Sequence, residues 1–442
     1  MREGPGYKLA KHIVRTLRAA GHDAWLVGGC VRDLLLGAPA QDFDVATSAT
    51  PPELLRQFPR ALQVGAHFGV ILIKDGDASV EVATFRSDHA YLDGRHPGRV
   101  EFERDPRQDA LRRDFSINAM MMDQETGQIL DFTGGREDLK AKLVRAVGEP
   151  AARFEEDHLR MLRAVRFAAR LGFAIEPETL RAIRRRRALV AKVASERIQD
   201  ELARILTEGG ARRGFELLDE SGLLEQVLPE VAAMKGVPQP PEYHPEGDVW
   251  THVLLMLEQL ERPSLTLALA VLLHDVGKPP TFQIKDRIRF HGHAETGARM
   301  AGEILAHLRF PVQATETVRL LVANHSRFQD VRNMRESTLK RFLRLDHFDE
   351  LLELHRIDCV ASHRRMENYE FVRRKLAEFT AEKLRPPRLI TGWDLLELGY
   401  EPGPRFRSML DAVEDAQLEG QIHTRDEAIA FVRERFPTRD GT

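Results

Sequence analysis

The sequence has little cysteine and no long apolar run. Its two cysteines, Cys30 and Cys359, stand far apart, which excludes a disulfide framework and a cysteine-rich zinc site and fits a reducing compartment. The longest apolar run, Leu265 to Leu273, is far shorter than the ~20 residues that a membrane-spanning helix needs. The N-terminus shows no pattern of a secretory signal. We therefore expect a cytoplasmic protein that does not contact a membrane.

The composition is that of an ordinary folded protein. Of the 442 residues, 43% are hydrophobic and 30% are charged, and this length suggests about three domains. The net charge of −3 argues against a uniformly basic nucleic-acid binder. Residues 153–213, however, hold 15 Lys and Arg against 9 Asp and Glu, and such a basic segment can neutralise phosphates. For charge alone, a solvated helical face is the better explanation.

The predicted secondary structure changes along the chain. Up to about Val147, short β-like runs alternate with helices, and from Pro150 onward helical periodicity dominates. A proline-rich loop at residues 238–247 and the pair Pro386-Pro387 are candidate boundaries. The sequence thus predicts an α+β protein, in which a small mixed-sheet domain precedes helical domains. The predicted domains are residues 1–147, 148–240, 241–385 and 386–442.

Two glycines form the first candidate binding feature. Gly28 and Gly29 follow a predicted strand at residues 24–27 and precede a predicted helix that carries Arg32. Glycines let the backbone approach a phosphate closely, and a helix N-terminus with an arginine supplies positive potential. Alone this is a weak signal, because many strand–helix turns contain two glycines.

Three carboxylates strengthen that signal. Asp42 and Asp44 lie two residues apart, so on a strand both side chains point to one face. Close carboxylates repel unless a cation lies between them, and Mg²⁺ with phosphate oxygens is the natural partner. Glu81, the lone acid of a later predicted strand, completes a candidate cage. Two surface aspartates in a turn are the alternative, which the glycine turn and the third carboxylate disfavour.

The motifs around these residues resemble those of the class II tRNA nucleotidyltransferases, the family of the CCA-adding enzymes and the bacterial poly(A) polymerases. They occur in the family's order over residues 24–206. The resemblance implies a polymerase-beta-like nucleotidyltransferase head and a helical neck that selects the nucleotide and binds RNA. The motifs are Gly28-Gly29-Cys30-Val31-Arg32-Asp33, Asp42-Phe43-Asp44-Val45, Arg112-Arg113-Asp114-Phe115-Ser116-Ile117-Asn118, Asp131-Phe132-Thr133-Gly134-Gly135, Glu156-Asp157-His158-Leu159-Arg160 and Glu196-Arg197-Ile198 with Glu201-Leu202.

The resemblance also implies roles for single residues. Asp42, Asp44 and Glu81 are the implied catalytic residues, and the two aspartates are the implied ligands of Mg²⁺. The implied nucleotide-binding residues are Gly28, Gly29, Arg32, Arg113, Asp114, Asn118, Asp157, Arg160, Arg163 and Arg166.

Asp157 and Arg160 are the implied contacts to the base. Their spacing of three predicts that they share one helix face. An acid and an arginine offer an acceptor and donors to the Watson–Crick edge of C or A. By analogy with groove recognition, each such contact contributes about 1–3 kcal/mol of discrimination. An ordinary ion pair worth less than ~1 kcal/mol is the alternative, and the upstream motifs favour base recognition.

The implied reaction adds or repairs the 3′-terminal CCA of tRNA from CTP and ATP without a nucleic-acid template. The RNA 3′-hydroxyl attacks the α-phosphate in line, with Mg²⁺ lowering the pKa of the hydroxyl and neutralising the leaving pyrophosphate. A poly(A) polymerase is an alternative, but the stretch from Met366 onward holds 12 basic against 15 acidic residues, where a basic RNA-holding tail is usual. An enzyme that adds only CC or only A is also open. The oligomeric state is not predicted.

A second set of histidines and aspartates follows at spacings suited to successive helices: His252, His274-Asp275, His291, His293, His325 and Asp358. This set resembles the HD phosphohydrolase superfamily. Imidazole and carboxylate ligands suit Ni²⁺, Mn²⁺, Fe²⁺ or Zn²⁺ as well as Mg²⁺. The resemblance implies a phosphatase or phosphodiesterase that acts on RNA ends. A vestigial HD fold with a packing role is one alternative, and an HD phosphohydrolase whose head only recruits RNA is another. The implied ligands are His252, His274, Asp275 and Asp358 for one metal, with His293 and His325 for a second and His291 as a substitute.

Overall fold

The structure, a computed structural model, describes residues 4–40, 42–65, 69–91, 94 and 97–437. The chain forms two compact units. The first runs to Ala233 and includes Leu260–Leu265 and His307–Phe310, and the second holds the rest. No described helix is long and apolar enough to cross a membrane.

The first unit is built on a mixed β-sheet. Its strands run in the order β3-β4-β5-β2-β1-β8-β9, in which β2 and β5 are parallel and the other neighbours are antiparallel. Strands β6 and β7 form a separate hairpin, and β10 pairs with β11. The bounds are β1 (Ala24–Val27), β2 (Asp44–Thr47), β3 (Leu62–Gly65), β4 (Val70–Asp75), β5 (Ala78–Thr84), β6 (Arg86–Tyr91), β7 (Pro97–Phe102), β8 (Met121–Met122), β9 (Ile129–Leu130), β10 (Leu143–Val144) and β11 (Ala174–Ile175).

The alternation of residues in β5 explains how the sheet presents its polar side. Val80 and Val82 are buried, whereas Glu81 between them is exposed. Successive side chains of a strand point to opposite faces, so packing the valines into the core directs Glu81 to the open face.

Helices pack on the sheet, and from Pro150 onward the first unit is mostly helical. Helix α7 is typical of the helical part, because its apolar residues from Met161 to Ala169 are buried and Gly172, with φ of 65°, ends it in a left-handed cap. Short 3-10 helices lie at Ser116–Asn118 and Arg187–Lys192. The helices are α1 (Pro5–Ala19), α2 (Gly29–Leu35), α3 (Pro51–Gln57), α4 (Pro106–Leu111), α5 (Gly135–Ala141), α6 (Pro150–Glu156), α7 (Arg160–Leu171), α8 (Pro177–Arg186), α9 (Ser195–Thr207), α10 (Ala211–Ser221), α11 (Leu224–Val227) and α12 (Pro229–Ala232).

The second unit is almost entirely helical. Its most apolar helix is α14, which is buried from Leu267 to Leu273 and places His274 and Asp275 directly after its end. A 3-10 helix spans His325–Asp330, and β12 (Gln283–Ile284) pairs with β13 (Ile288–Arg289). The helices are α13 (Val249–Glu258), α14 (Leu265–Leu273), α15 (Lys278–Thr281), α16 (His293–His307), α17 (Val312–Asn324), α18 (Glu336–Leu343), α19 (Phe348–Ala361), α20 (Glu367–Glu378), α21 (Ala381–Leu384), α22 (Gly392–Glu397), α23 (Pro404–Leu418) and α24 (Arg425–Arg435). The predicted α+β class, with a mixed-sheet region first and helices after it, is confirmed.

Candidate functional site

The predicted carboxylates lie at one end of the central strands. Asp44 begins β2 and is the direct neighbour of Glu81 on β5. On its other side Asp44 is paired with Val27, the last residue of β1, so Gly28 follows immediately beside it. Asp42 is exposed and lies just before β2, so the strand is shorter than the sequence suggests. Sheet register thus brings Gly28, Asp44 and Glu81 together.

The electrostatics of this end of the sheet favour a cation. The pKa of the Asp44 carboxyl is raised to about 6, first by burial and then by Glu81 and Asp42, while Arg113 opposes them. Gly28 has φ of 77°, and a Cβ there would lie 3.4 Å from Asp44 Oδ2, so glycine leaves that oxygen accessible. The residues therefore fit Mg²⁺ chemically. Within the described chain, however, no group of three donor atoms within 4.8 Å of one another includes these carboxylates.

Asp109 on α4 organises the neighbouring arginines, and sequence reasoning missed it. Its carboxylate is fully buried and accepts from Arg112 Nη2 at 2.5 Å and Arg113 Nη2 at 2.9 Å. The available signal was an acid three and four residues before two arginines, the spacing of neighbours on a helix. Asp109 thus holds Arg113 next to Gly28, where a Cβ would lie 3.7 Å from Arg113 Nη1.

Four of the predicted nucleotide-binding residues form one hydrogen-bonded network. Arg163 on α7 donates to Asp114 Oδ2 at 2.9 and 2.6 Å. The Nδ2 of Asn118 lies 3.5 Å from Asp114 Oδ1, and Arg32 donates to Asn118 Oδ1 at 2.7 Å. Burial opposes ionisation of Asp114, but Arg163 and Arg160 hold its pKa below the usual value. The network joins the sheet region to α7.

Phe167 lies at the centre of this junction and was also missed. The guanidinium carbons of Arg32, Arg163 and Arg166 lie 5.4, 5.4 and 4.3 Å from its ring centroid, within the range of a cation–π contact. Arg166 differs from the other two in its partner, since it donates to Glu201 on α9 at 2.6 Å. The structure therefore places Arg166 in the packing between helices rather than in the Asp114 network.

The expectation that Asp157 and Arg160 share one helix face is wrong. Asp157 lies in the break between α6 and α7 with extended backbone angles, φ −142° and ψ 107°, and its carboxylate accepts from the backbone N–H of Leu159 at 3.1 Å. Arg160 is the first residue of α7 and donates to Glu156 Oε2 at 2.7 Å. The break has a physical cause, because an aspartate that bonds a nearby backbone N–H competes with helix continuation.

In the second unit the predicted histidines and aspartates converge from several helices. Within the described chain, three groups of donor atoms lie within 4.8 Å of one another, and two of them share Asp275: His252, His274 and Asp275, and Asp275, His293 and His325. The third group is His244, Glu246 and His252. The Oδ1 atom of Asp275 lies 3.8 Å from His293 Nε2 and 3.7 Å from His325 Nε2. Asp275 thus stands between the two groups.

Several of these donor atoms lack an internal hydrogen bond. His274 Nε2 and Asp275 Oδ1 are buried and make no hydrogen bond in the described chain. His252 Nε2 lies 3.2 Å from Asp358 Oδ1, also without a hydrogen bond. Buried polar atoms without a partner are costly, and a bound metal satisfies such atoms. The donor set therefore fits one or two divalent metal ions.

Glu246 and His244 extend the cluster and were missed by sequence reasoning. Glu246 Oε1 lies 2.9 Å from His244 Nδ1 and 2.7 Å from His252 Nδ1. A carboxylate on the far nitrogen of a histidine fixes the ring so that the other nitrogen faces the metal. The two residues belong to the loop before α13, where no periodic pattern marks them.

The cluster lines a cavity of about 850 Å³. His291, the predicted substitute ligand, is exposed and lines this cavity. Lys278 is buried and its Nζ lies 2.6 Å from Asp275 Oδ2. Further basic residues on the lining are Arg287, Arg289, Arg332 and Arg365. Metal-type donors beside basic side chains are suited to a phosphorylated ligand.

Comparisons with known proteins match one family model to the region of the carboxylate site and another to the region of the histidine cluster. Three family models match the chain: "Poly A polymerase head domain" over residues 24–145, "Probable RNA and SrmB- binding site of polymerase A" over residues 172–235, and "HD domain" over residues 248–354. Among curated relatives, the CCA-adding enzyme of Streptococcus pneumoniae is 31% identical over 430 residues, 97% of this chain and 98% of that enzyme. The chain belongs to the CCA-adding enzyme family. This family membership makes it a nucleotidyltransferase, and the main prediction from sequence is confirmed.

Other members of the family match over different lengths. The CCA-adding enzyme of Levilactobacillus brevis is 43% identical over 229 residues, 52% of this chain and 57% of that enzyme. Among solved structures, the CCA-adding enzyme of Bacillus stearothermophilus in complex with CTP covers 98% of both chains at 28% identity with a TM-score of 0.74. The Thermotoga maritima CCA-adding enzyme complexed with tRNA has a TM-score of 0.61 at 18% identity and supports the fold alone.

Proposed function

We propose that this chain adds C, C and A to the 3′ end of tRNA from CTP and ATP without a nucleic-acid template. The observation that carries the proposal is the sheet register that brings Asp44 beside Glu81 and next to the Gly28 turn, in a chain that belongs to the CCA-adding enzyme family. Relatives were solved with CTP, with ATP and with tRNA. These partners suit a site with acidic groups on one side and arginines on the other.

The carboxylates of the site bind the metal ion, and its glycines and arginine contact the triphosphate. Asp42 and Asp44 hold Mg²⁺, with Glu81 as the third acid. When bound, the ion supplies charge that lowers the pKa of the RNA 3′-hydroxyl and neutralises the pyrophosphate. Gly28 and Gly29 leave room for the triphosphate, and Arg113 faces its phosphates.

The nucleotide is oriented by the junction of sheet and neck. Asp114 and Asn118 meet the sugar and phosphates, and Arg32 and Arg163 hold these two side chains in place through the hydrogen bonds described above. Asp157 and Arg160 recognise the base edge. Since Asp157 lies in a helix break, its carboxylate is directed by its own partners rather than by helix geometry.

Removing the carboxylate of Asp44 tests the proposal. We expect Asp44→Asn to lower CCA addition at least 100-fold, because the amide cannot bind a hard cation in place of a carboxylate. Single-nucleotide gels with a tRNA transcript ending in CC and ATP measure this. Asp75→Asn, an exposed hairpin aspartate, is the matched control. Full addition by Asp44→Asn contradicts the proposed site.

The metal-type cluster supports a second activity. We propose that the second unit is an HD phosphohydrolase that acts on phosphate esters at RNA ends, with Ni²⁺, Mn²⁺, Fe²⁺, Zn²⁺ or Mg²⁺ held by His252, His274, Asp275 and Asp358 and by His293 and His325. The unsatisfied buried atoms of His274 and Asp275 favour it over a vestigial fold.

The same view divides the chain into four functional parts. We propose a nucleotidyltransferase head at residues 1–147, a neck at 148–240, an HD domain at 241–385 and a helical tail at 386–442. A protein that works on tRNA in this way acts in the cytoplasm, which stays a prediction. A poly(A) polymerase and an enzyme that adds only CC or only A remain the alternatives that the assay closing the Discussion separates.

A further inference from the structure

The lining of the cavity in the second unit carries three arginines that the metal-type cluster does not explain. Arg287, Arg332 and Arg365 line the cavity and are exposed, and we call them the rim arginines. Their side chains make no hydrogen bond or ion pair within the described chain. By contrast, Arg289 on the same hairpin as Arg287 donates to both oxygens of Asp286 at 2.8 Å. The rim arginines therefore offer three guanidinium groups to a ligand.

The rim arginines come from three separate elements that also carry proposed metal donors. Arg287 lies in the turn between β12 and β13, and the second strand leads to His293. Arg332 follows the 3-10 helix that begins at His325, and Arg365 lies between α19 and α20. The packing that brings the donors together therefore also places the rim arginines on the lining of one cavity.

An aromatic side chain adds a second kind of contact. Tyr243 lies in the proline-rich loop before α13, lines the cavity and is 50% exposed. Aromatic rings of this kind are surfaces on which nucleobases stack with little regard to sequence. Two exposed acids, Glu242 and Glu367, also line the cavity, so the rim arginines outnumber the exposed acids there.

The cavity has room for more than one phosphate ester. Its volume of about 850 Å³ lies in the upper part of the ~300–1,000 Å³ range of ligand pockets. The metal-type cluster accounts for one phosphate group, and guanidinium groups bind further phosphates through paired hydrogen bonds. A ligand with one phosphate at the cluster and more phosphates beyond it is a nucleic-acid strand rather than a free nucleotide.

We propose that the outer lining of this cavity is a subsite for a single-stranded RNA end. The terminal ester lies at the metal-type cluster, the terminal base stacks on Tyr243, and the rim arginines contact the phosphates of the preceding nucleotides. The rim arginines thus select an RNA strand over a mononucleotide that carries the same ester. This assignment rests on the proposed phosphohydrolase function, since the ester at the cluster sets the orientation of the RNA.

Hydrolysis of two matched substrates by the Mn²⁺-loaded protein tests the subsite. One is an RNA of about five nucleotides and the other a mononucleotide, each with a terminal 3′-phosphate or 2′,3′-cyclic phosphate, without nucleoside triphosphates. We expect the wild type to prefer the RNA about 10-fold or more in kcat/KM. Replacing the three rim arginines by glutamine should abolish this preference and change hydrolysis of the mononucleotide less than about 2-fold. The logarithmic salt dependence of KM for the RNA should weaken by about 0.7 for each arginine removed.

Matched variants separate the subsite from general charge effects. Arg388→Gln, Arg405→Gln and Arg433→Gln combined remove the same charge from exposed positions of the tail and should keep the preference for RNA. Tyr243→Leu should lower kcat/KM for both substrates about 10-fold, because both carry a terminal base. Equal kcat/KM of the wild type for the two substrates, or equal losses in the rim and tail variants, overturn the inference.

Photo-crosslinking locates the RNA without relying on hydrolysis. The same RNA with thiouridine as its last nucleotide is irradiated with chelator-treated protein, and mass spectrometry identifies the crosslinked peptides. We expect crosslinks in the loop that holds Tyr243, weaker when the rim arginines are replaced, and crosslinks confined to the first unit overturn the inference. A wild type that hydrolyses neither substrate overturns the proposed phosphohydrolase instead, and the crosslinks then still show whether RNA lies in the cavity.

Discussion

Asp109 is a carboxylate with no solvent contact that accepts hydrogen bonds from two arginines. Burial alone would raise its pKa, but Arg113 and Arg112 hold the pKa of Asp109 below its usual value. The carboxylate therefore stays charged in the folded protein. Its charge keeps the Arg113 guanidinium in place near Gly28 and Asp44, so a residue that touches no substrate sets the position of one that does.

Replacing Asp109 by Asn leaves two buried guanidinium groups without their counter-ion. We expect Asp109→Asn to lower the stability of the first unit by about 3 kcal/mol at pH 7. Because the folded-state pKa of Asp109 is depressed, its stabilisation is present above the ordinary value of ~3.9 and is lost as the pH falls through the lower folded-state pKa. The gap between wild type and variant should therefore shrink in acid.

Thermal unfolding of both proteins at pH 7 and at about pH 3, below the ordinary pKa of an aspartate, measures this difference. Asp105→Asn changes only a helix-capping contact to the Arg107 N–H and serves as the control. A gap of the same size at both pH values would show that the charge of Asp109 is not the cause.

At the scale of single elements, α13 and the loop before it show how a histidine ligand is aimed. Glu246 lies 2.7 Å from the Nδ1 of His252 and holds the ring with Nε2 toward Asp358. Side chains behind metal ligands of this kind usually change metal affinity 10–100-fold when they are removed. The loop therefore contributes to the proposed metal centre by orienting His252.

We expect Glu246→Gln to weaken Mn²⁺ or Ni²⁺ binding about 10–100-fold, with little change in melting temperature of the metal-free protein. Isothermal titration of purified, chelator-treated protein measures the affinity. Glu303→Gln, which breaks an exposed ion pair to Arg299 on α16, should bind like the wild type. Unchanged metal affinity in Glu246→Gln would contradict the orienting role of Glu246. No metal binding by the wild type would contradict the proposed metal centre.

Elements also show where sequence reasoning succeeds and where it stops. The valines that flank Glu81 predict the strand and its open face, because burial of alternate residues is a local pattern. The break at Asp157 could not be predicted from spacing, because one of its partners, Arg197, lies 40 residues away. In the same way, adjacent His274 and Asp275 after an apolar helix stand out, whereas Glu246 sits in a loop with no periodicity.

For the whole molecule, net charge says little about function because many charged side chains pair with one another. For charge alone, the basic excess of residues 153–213 favours a solvated helical face over phosphate contact, and several of its arginines bond to carboxylates of their own unit. Arg186 bonds to Glu155, Arg213 to Glu220 and Arg166 to Glu201. The positions of individual charged side chains, rather than the net charge of a segment, therefore support the proposed function.

Product length on three tRNA transcripts tests the central claim most directly. The transcripts end at the discriminator base, in C and in CC, and each is incubated with Mg²⁺ and with CTP, ATP or both. The account predicts that every transcript stops at CCA when both nucleotides are present and that ATP alone extends only the transcript ending in CC. Products that stop at CC, growth confined to the CC-ended transcript, or long A tails would indicate the alternatives, and no extension at all would contradict the account.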